Sequence, residues 1–495
     1  MDYVLGIDIG TGSVKAVAVD LQGKPFAEHQ EMYSFSSPKP GYHEQDPEII
    51  WHAFRACVKG VIEKTGEQPL AAGLSSALHS FVPVDGNCRA LAPMMTWADS
   101  RSFAVAKKLW ASKEGKAIYK ATGTPLHAMS PLCKLIWLKK NQRKLFQTAA
   151  KFIGIKEYIW FRLFNEFVVD QSIASGTGLF DIVALKWHPE SLALADVTAD
   201  RLSRPESTFY TQKCKTGDVF SMGTPVNISA SDGCLANLGS MADKPGVAAI
   251  TIGTSGAVRV ASSTPLPNEK AMTFSYILDK DTYICGGPVN NGGIAMQWWV
   301  KNFSGTGLTE KEYDNVFKQV EQVPPGAKGL IFLPYLTGER APIWDSESCG
   351  NFFGVKLEHT RAHFSRAVLE GICLALKDVL ETLEQNAGPV KQINISGGFV
   401  KSRVWVQALA DITGKPLAVV QAEDASAIGA ALMTMKAAGL TGEYPAAPVD
   451  NLKMYQPDDI NYKVYQKQFK IYRQLYADLK KTMQKVAGLL KIAVS

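Results

Sequence analysis

The chain has 495 residues, 46% hydrophobic and 20% charged, ordinary for a globular protein and too long for one compact core. Its formal charge of +6 is scattered among 53 Lys and Arg and 47 Asp and Glu, which argues against a nucleic-acid partner and leaves a mild pull on anionic small molecules. Eight widely spaced cysteines without a CxxC pair argue against a disulfide scaffold or zinc site, no signal peptide precedes the first strand, and no apolar run spans a membrane, so a reduced, cytoplasmic protein without a membrane partner is expected.

In chain order, residues 3–9, 15–20 and 26–33 read as three strands, the second turn falling at Gln22-Gly23. Asp46-Pro47-Glu48 reads as a helix start, with a cap, a first-position proline and an early acid. Trp51, Phe54, Val58 and Ile62 continue it as a core stripe, and residues 71–74 read as a buried strand ending in a polar cluster at 75–80. Three strands followed by helix, strand and helix is the opening of the actin-like ATPase unit also found in ribonuclease H. The second half repeats the plan, with strands at 247–253, 257–261, 283–286 and 391–396, a long helix at 359–384 and a small-residue helix at 425–438. The expected division is 1–243 and 244–495: two α/β domains with a cleft between them. Within 462–490, apolar residues from Tyr465 to Val486 recur at three- and four-residue steps. That stretch reads as a helix packed back on the body, with a membrane-surface or partner helix as the alternative.

One pattern occurs twice: Ile7-Asp8-Ile9-Gly10-Thr11-Gly12-Ser13 and Ile250-Thr251-Ile252-Gly253-Thr254-Ser255-Gly256. Turns of Gly and hydroxyl residues bare successive backbone N–H groups, and such nests hold phosphates. Gly10, Thr11, Gly12 and Ser13, with Lys15 beyond them, and Gly253, Thr254 and Ser255 are therefore candidate grips on one polyphosphate; either turn alone reads equally as a hairpin. Only the first copy carries a carboxylate, Asp8, a candidate for Mg2+ or else an Asx turn. Phosphoryl transfer also needs a base and an adenosine pocket. Asp232, between the two units, is the base candidate, with a plain Ser-Asp-Gly turn as its bland reading. Gly397 and Gly398 at a strand end, and residues 426–431 at a helix start, suit a flat base against the backbone, or simple close packing. For an acceptor sugar, Leu78, His79, Trp97, Asp99 and Arg101 offer an aromatic surface and hydrogen-bonding groups.

Two longer stretches, residues 129–141 and residues 350–355 continuing through 363–370, resemble the two signatures of the FGGY carbohydrate kinases, and the resemblance runs from Tyr3 to about Gly442. It implies two actin-like, ribonuclease H-like domains, ATP with Mg2+, and a sugar acceptor. It implies Asp232 as base, Asp8 as the magnesium acid, and Thr11, Ser13, Gly253 and Thr254 as phosphate-loop residues. Gly293 and Gln297 then line the nucleotide site and Gly398 meets the adenosine. Some relatives have Asn where Ser402 stands here, so that adenine contact departs from the pattern. Within the family, residues 75–80, 96–102, 122–127, 155–158 and 287–293 look most like members acting on gluconate; members acting on xylulose share His79, Trp97, Asp99 and residues 335–340 and are the alternative. A sugar acid needs a cation, and Arg101 and Lys156 are candidates by charge. A non-catalytic ATP switch or a sugar sensor would keep the loops and Asp8 without needing Asp232. A homodimer is left open.

Overall fold

The computed structural model describes residues 1–303, 308–420, 424–445 and 452–492. Two sheets carry the architecture. The first holds β1 (Tyr3–Ile9), β2 (Ser13–Asp20), β3 (Pro25–Met32), β4 (Ala71–Ser76), β5 (Thr211–Lys213) and β6 (Pro225–Asn227), in the order β5-β6-β4-β1-β2-β3. The second holds β7 (Val247–Ile252), β8 (Gly256–Ser262), β9 (Phe274–Asp279), β10 (Thr282–Val289), β11 (Gln392–Ser396), β12 (Leu417–Val419) and β13 (Lys453–Tyr455), in the order β9-β10-β8-β7-β11-β12-β13.

The duplication seen in the sequence is a duplication of position. β1 runs antiparallel to β2 and parallel to β4, which places Asp8 opposite Ser75; β7 runs antiparallel to β8 and parallel to β11, which places Thr251 opposite Ser396. The Ser75 hydroxyl donates to Asp8 at 2.6 Å, and the hydroxyls of Thr251 and Ser396 lie 3.1 Å apart. One frame therefore offers an acid in the first half and a hydroxyl in the second. β1 is apolar from Tyr3 to Ile7 because it is a central strand covered on both faces, and Asp8 interrupts the run only near its end. β3 alternates because it is an edge.

The helix α1 (Pro47–Thr65) starts where read: Asp46 accepts the Glu48 N–H at 2.9 Å, Pro47 fills the first turn, and Gly66 closes it at φ 72°. The strand β9 is an element the sequence reading lacked. A second departure concerns the small-residue helix α5 (Ala425–Ala437; here α2 is Asp232–Gly239, α3 Gly293–Phe303 and α4 Arg361–Ala387). It packs on β1, β4 and α2 of the first half. A Cβ on Gly6 would lie 1.8 Å from the Ala427 carbonyl oxygen, and one on Gly429 would lie 2.1 Å from that of Leu235. The alanines and glycines of α5 thus serve close packing; residues 426–431 do not bound the large cavity described below, which corrects their reading as an adenosine surface.

The C-terminal helix α6 (Asp459–Ile492) lies against the second core through Tyr465, Phe469, Tyr472 and Met483, while Val486 is exposed. Tyr465 donates to Glu370 of α4 at 2.8 Å, and the Tyr472 and Tyr335 hydroxyls meet at 2.9 Å. Among the described residues no helix is long and apolar enough to cross a membrane.

Candidate active site

Three adjoining cavities occupy the ground between the sheets. The first, about 790 Å³, is bounded by Gly253, Thr254, Gly293, Gln297, Gly398 and Ser402, with Tyr313, Phe317 and Trp405 as an apolar wall. The second, about 370 Å³, is bounded by Leu78, His79, Trp97, Asp232, Tyr276 and Arg340 among others. The third, about 230 Å³, is bounded by Asp8, Lys15, Asp232, Arg259, Ser396 and Asp424 among others. Gly253 borders the first two, and Asp232, Gly233, Thr251 and Arg259 border both the second and the third. Asp232 begins α2, so strand-like backbone before it and helix after it leave its carboxylate at a chain reversal facing both chambers.

The two glycine turns are built differently from the expectation. None of Gly10, Gly12 and Gly253 takes a left-handed φ, so neither turn is a nest of alternating handedness. Both are hairpin ends held from behind. Tyr33 donates its hydroxyl to the Gly10 carbonyl at 2.6 Å, Gln45 donates to the Thr11 carbonyl at 2.6 Å, and Trp97 donates its indole N–H to the Thr11 hydroxyl at 2.9 Å. Gln30 donates to the Ser13 hydroxyl at 2.9 Å. On the second turn, the first N–H groups of α3 close on the loop, Gly293 to the Gly253 carbonyl at 2.7 Å and Ile294 to that of Thr254 at 3.1 Å. A Cβ on Gly12 or Gly253 would meet nothing within 4 Å, so both turns present open backbone. Ser255 borders the second cavity, whereas Gly10, Thr11, Gly12 and Ser13 border none of the three. Gly397 also stands behind the wall. It takes φ 107°, and a Cβ there would lie 2.2 Å from the Ile252 carbonyl oxygen, so it lets β11 close on β7 beside the second turn.

Electrostatics single out the acids. Burial raises the Asp8 pKa to about 7, the Asp232 charge adds to the rise, and the Ser75 hydrogen bond opposes it. Burial also raises Asp232, against the Gly233 N–H at 2.6 Å and the charges of Arg259 and Lys156. Lys15 is tied to Asp424 and, at 3.1 Å, to Glu28. His79 adopts φ 67°. Burial pushes its pKa down to about 3, so it is neutral. Its Nδ1–H donates to the Gly176 carbonyl at 2.8 Å, which leaves Nε2 as an acceptor 3.3 Å from the Tyr276 hydroxyl.

Two charge-based expectations fail. Arg101 forks onto Asp99 and reaches Glu44, and its guanidinium lies 3.6 Å from the centre of the Tyr42 ring. Asp99 is buried and also accepts the His43 N–H at 2.9 Å. Both charges are spent on each other, and neither residue borders the second cavity. Lys156 is buried, paired with Asp170 at 2.8 Å, and donates to the carbonyls of Ile228 and Ala230 at 3.0 and 2.7 Å. It fixes the segment leading into Asp232 and does not face the cavity.

The cations that do face it were missed. Arg340 is held by Asn290 at 2.7 Å and by the Val289 carbonyl at 3.2 Å. Arg259 rises from β8, where a lone charge inside Ala257-Val258-Arg259-Val260-Ala261 was the available signal. Lys134 was missed as a support: its buried ammonium donates to the His79 and Thr96 carbonyls at 2.6 and 2.8 Å, tying together the two loops that present His79 and Trp97.

Comparison with known proteins gives the family and the fold. Residues 3–239 fit the N-terminal domain and residues 248–438 the C-terminal domain of the FGGY family of carbohydrate kinases. A gluconokinase of Bacillus subtilis is 40% identical over 458 residues, covering 90% of this chain and 89% of that protein. The solved gluconate kinase of Lactobacillus acidophilus superposes with a TM-score of 0.93 at 32% identity, covering 98% of this chain and 99% of that one. A ligand-bound xylulose kinase structure from the same organism gives 0.93 and 32%, covering 98% and 100%. With both domain models matched and this likeness along nearly its whole length, the chain belongs to the FGGY family of carbohydrate kinases.

Proposed function

We propose that the protein transfers the γ-phosphoryl group of ATP to the terminal hydroxyl of gluconate, giving 6-phosphogluconate. The observation that carries this reading is that one chamber of about 370 Å³ holds both a candidate base, Asp232, and a cation, Arg340. A sugar acid needs the two at opposite ends of one molecule. The gluconokinase relative supports the same acceptor.

The roles follow from the geometry. Asp232 takes the proton of the attacking hydroxyl. Trp97 offers a flat surface, Leu78 an apolar edge, and neutral His79 an acceptor nitrogen for sugar hydroxyls. The adenosine lies in the largest of the three cavities, by Gly398, Ser402 and Gln297, with the phosphates toward Gly253 and Thr254. The turn at 10–13 closes over them from the other side as the domains, divided near residue 243, come together and exclude water.

Mg2+ fits beside Asp8. That carboxylate is buried and short of positive charge, and Mg2+ commonly takes one or two carboxylates and otherwise phosphate and water. Among the described residues no group of three His, Cys, Asp or Glu gathers as a metal cage. Asp8 would hold the ion, whose chemistry is to neutralise charge on the phosphates.

The Asp8 shift has a consequence for stability. Between about pH 4 and pH 7 the unfolded chain releases this proton while the folded chain keeps it. Stability therefore falls as pH rises through that window, by about 1.4 kcal/mol per unit at most for this one group. Asp8→Asn should melt higher than the wild type at about pH 8, melt equally at about pH 4, and lose Mg2+-dependent turnover. Equal melting temperatures at both pH values would contradict the assignment.

Arg340→Ala tests the acceptor directly. Loss of a buried charge-assisted contact should raise KM for gluconate about 10²-fold and change KM for neutral polyols little. An unchanged KM for gluconate would remove Arg340 from the carboxylate.

A further inference from the structure

The second cavity, where the acceptor is proposed to sit, and the third, beside Asp8, meet at Asp232, Gly233, Thr251 and Arg259, of which Arg259 alone is a cation. Arg259 stands three residues past the turn at 253–256, opposite Ala249 of β7 and Gly286 of β10, in the middle of the second sheet. Its guanidinium reaches the start of α2: a Cβ on Gly233 would lie 3.6 Å from its Nε. Among the described residues it forms no ion pair, unlike Arg101, Lys156 and Arg366. Its charge is felt by Asp232 across the junction without closing into a salt bridge, and a guanidinium left with free donors beside a cavity suits an arriving phosphate or carboxylate.

Two anions come to this site under the proposed function: the transferring phosphoryl group and the acceptor's carboxylate. The attacking hydroxyl must sit at Asp232, and the carboxylate of an extended six-carbon acid lies roughly 6 Å further on. Arg259 is at the Asp232 end. Arg340, held by Asn290 and the Val289 carbonyl, borders the second cavity and not the third. Arg259 also belongs to the strand that carries the second phosphate turn, so it keeps its place relative to the nucleotide whatever acceptor enters.

We propose that Arg259 is a catalytic residue whose guanidinium hydrogen-bonds the oxygens of the γ-phosphoryl group during transfer. The acceptor oxygen bonds to phosphorus as the bond from phosphorus to the β–γ bridging oxygen breaks. The hydroxyl proton passes to Asp232, and ADP leaves with the bond's electron pair. Arg259 stays protonated throughout and contributes only hydrogen bonds and charge. This rests on phosphoryl transfer at Asp232 and is independent of which sugar is the acceptor.

Steady-state kinetics of Arg259→Gln, Arg259→Lys and Arg259→Ala, with ADP titration, test it on whichever acceptor the wild type turns over. For the Gln variant kcat should fall about 10³-fold, with KM for the acceptor and Kd for ADP within about threefold of wild type. The fall should be the same for gluconate and for a neutral polyol, and millimolar guanidinium should restore part of the Ala variant's kcat. A tenfold rise in KM for gluconate alone, with kcat unchanged, would move Arg259 to the carboxylate and overturn the proposal. So would unchanged kcat, or a fall in kcat matched by loss of ADP binding in all three variants. If gluconate is inert while another acceptor shows the kcat loss, the substrate reading fails and this one stands.

Discussion

Asp232→Asn is expected to lower kcat about 10²- to 10⁴-fold with ATP affinity unchanged. The substitution keeps shape and keeps an oxygen to accept the Gly233 N–H, so the start of α2 is retained. What it removes is the proton acceptor at the meeting point of two cavities. Burial raises the Asp232 pKa while Arg259 and Lys156 hold it down. The active form is the ionised one, so kcat/KM should fall as pH drops through that raised value. Rapid-quench measurement of ADP formation with acceptor present reads the chemical step directly. Sugar-dependent ATP consumption at the wild-type rate in Asp232→Asn would remove Asp232 from the chemistry.

The second large effect is on folding. Gly6→Val should destabilise the protein by about 4 kcal/mol or more, or prevent soluble expression. Gly6 lies mid-way along β1, the strand that carries Asp8, and the backbone of α5 passes directly over it. The atom in the way is a carbonyl oxygen of Ala427, so no side-chain rotation relieves the clash, and two further methyl groups force α5 off both β1 and β4. Gly217→Ala is the matched control. Its Cβ would meet nothing within 4 Å, and its melting temperature should stay near that of the wild type. Wild-type stability of Gly6→Val would show that α5 does not seat on the first sheet as described.

How far the sequence carried the fold depended on the range of each signal. β1 and β7 are apolar runs, broken only by Asp8 and Thr251 near their ends and followed by glycine turns, and α1 begins with a complete cap, so neighbouring residues specified them. The helix α5 was legible as a helix, but its seat was not. That seat depends on Gly6, Gly73 and Gly239, which become its neighbours only after folding. β9 was missed because Phe274-Ser275-Tyr276-Ile277-Leu278-Asp279 alternates poorly, and its Asp279-Lys280-Asp281 turn went unread.

The same distinction governs the site. Asp8, His79, Trp97, Asp232, Gly253, Gly293 and Gln297 each border at least one of the three cavities, and each lies at or beside a strand end, a turn or the first turns of a helix, where local sequence patterns are most readable. Arg101 and Lys156 do not. Counting charge cannot reveal that Asp99 and Glu44 already neutralise Arg101, and Asp170 neutralises Lys156, because the pairing depends on how the side chains are buried together. Arg259 carried the opposite signal, a charge inside an apolar strand with no compensating neighbour.

The most direct test of the account is product formation in one assay. ATP, Mg2+ and the purified protein are incubated separately with gluconate, xylulose, glycerol, ribulose and fuculose, and the phosphorylated product is identified by mass and by ³¹P NMR. The account predicts 6-phosphogluconate with stoichiometric ADP, and kcat/KM for gluconate at least about tenfold above that of the other four. Xylulose 5-phosphate as the dominant product, with gluconate inert, would contradict it.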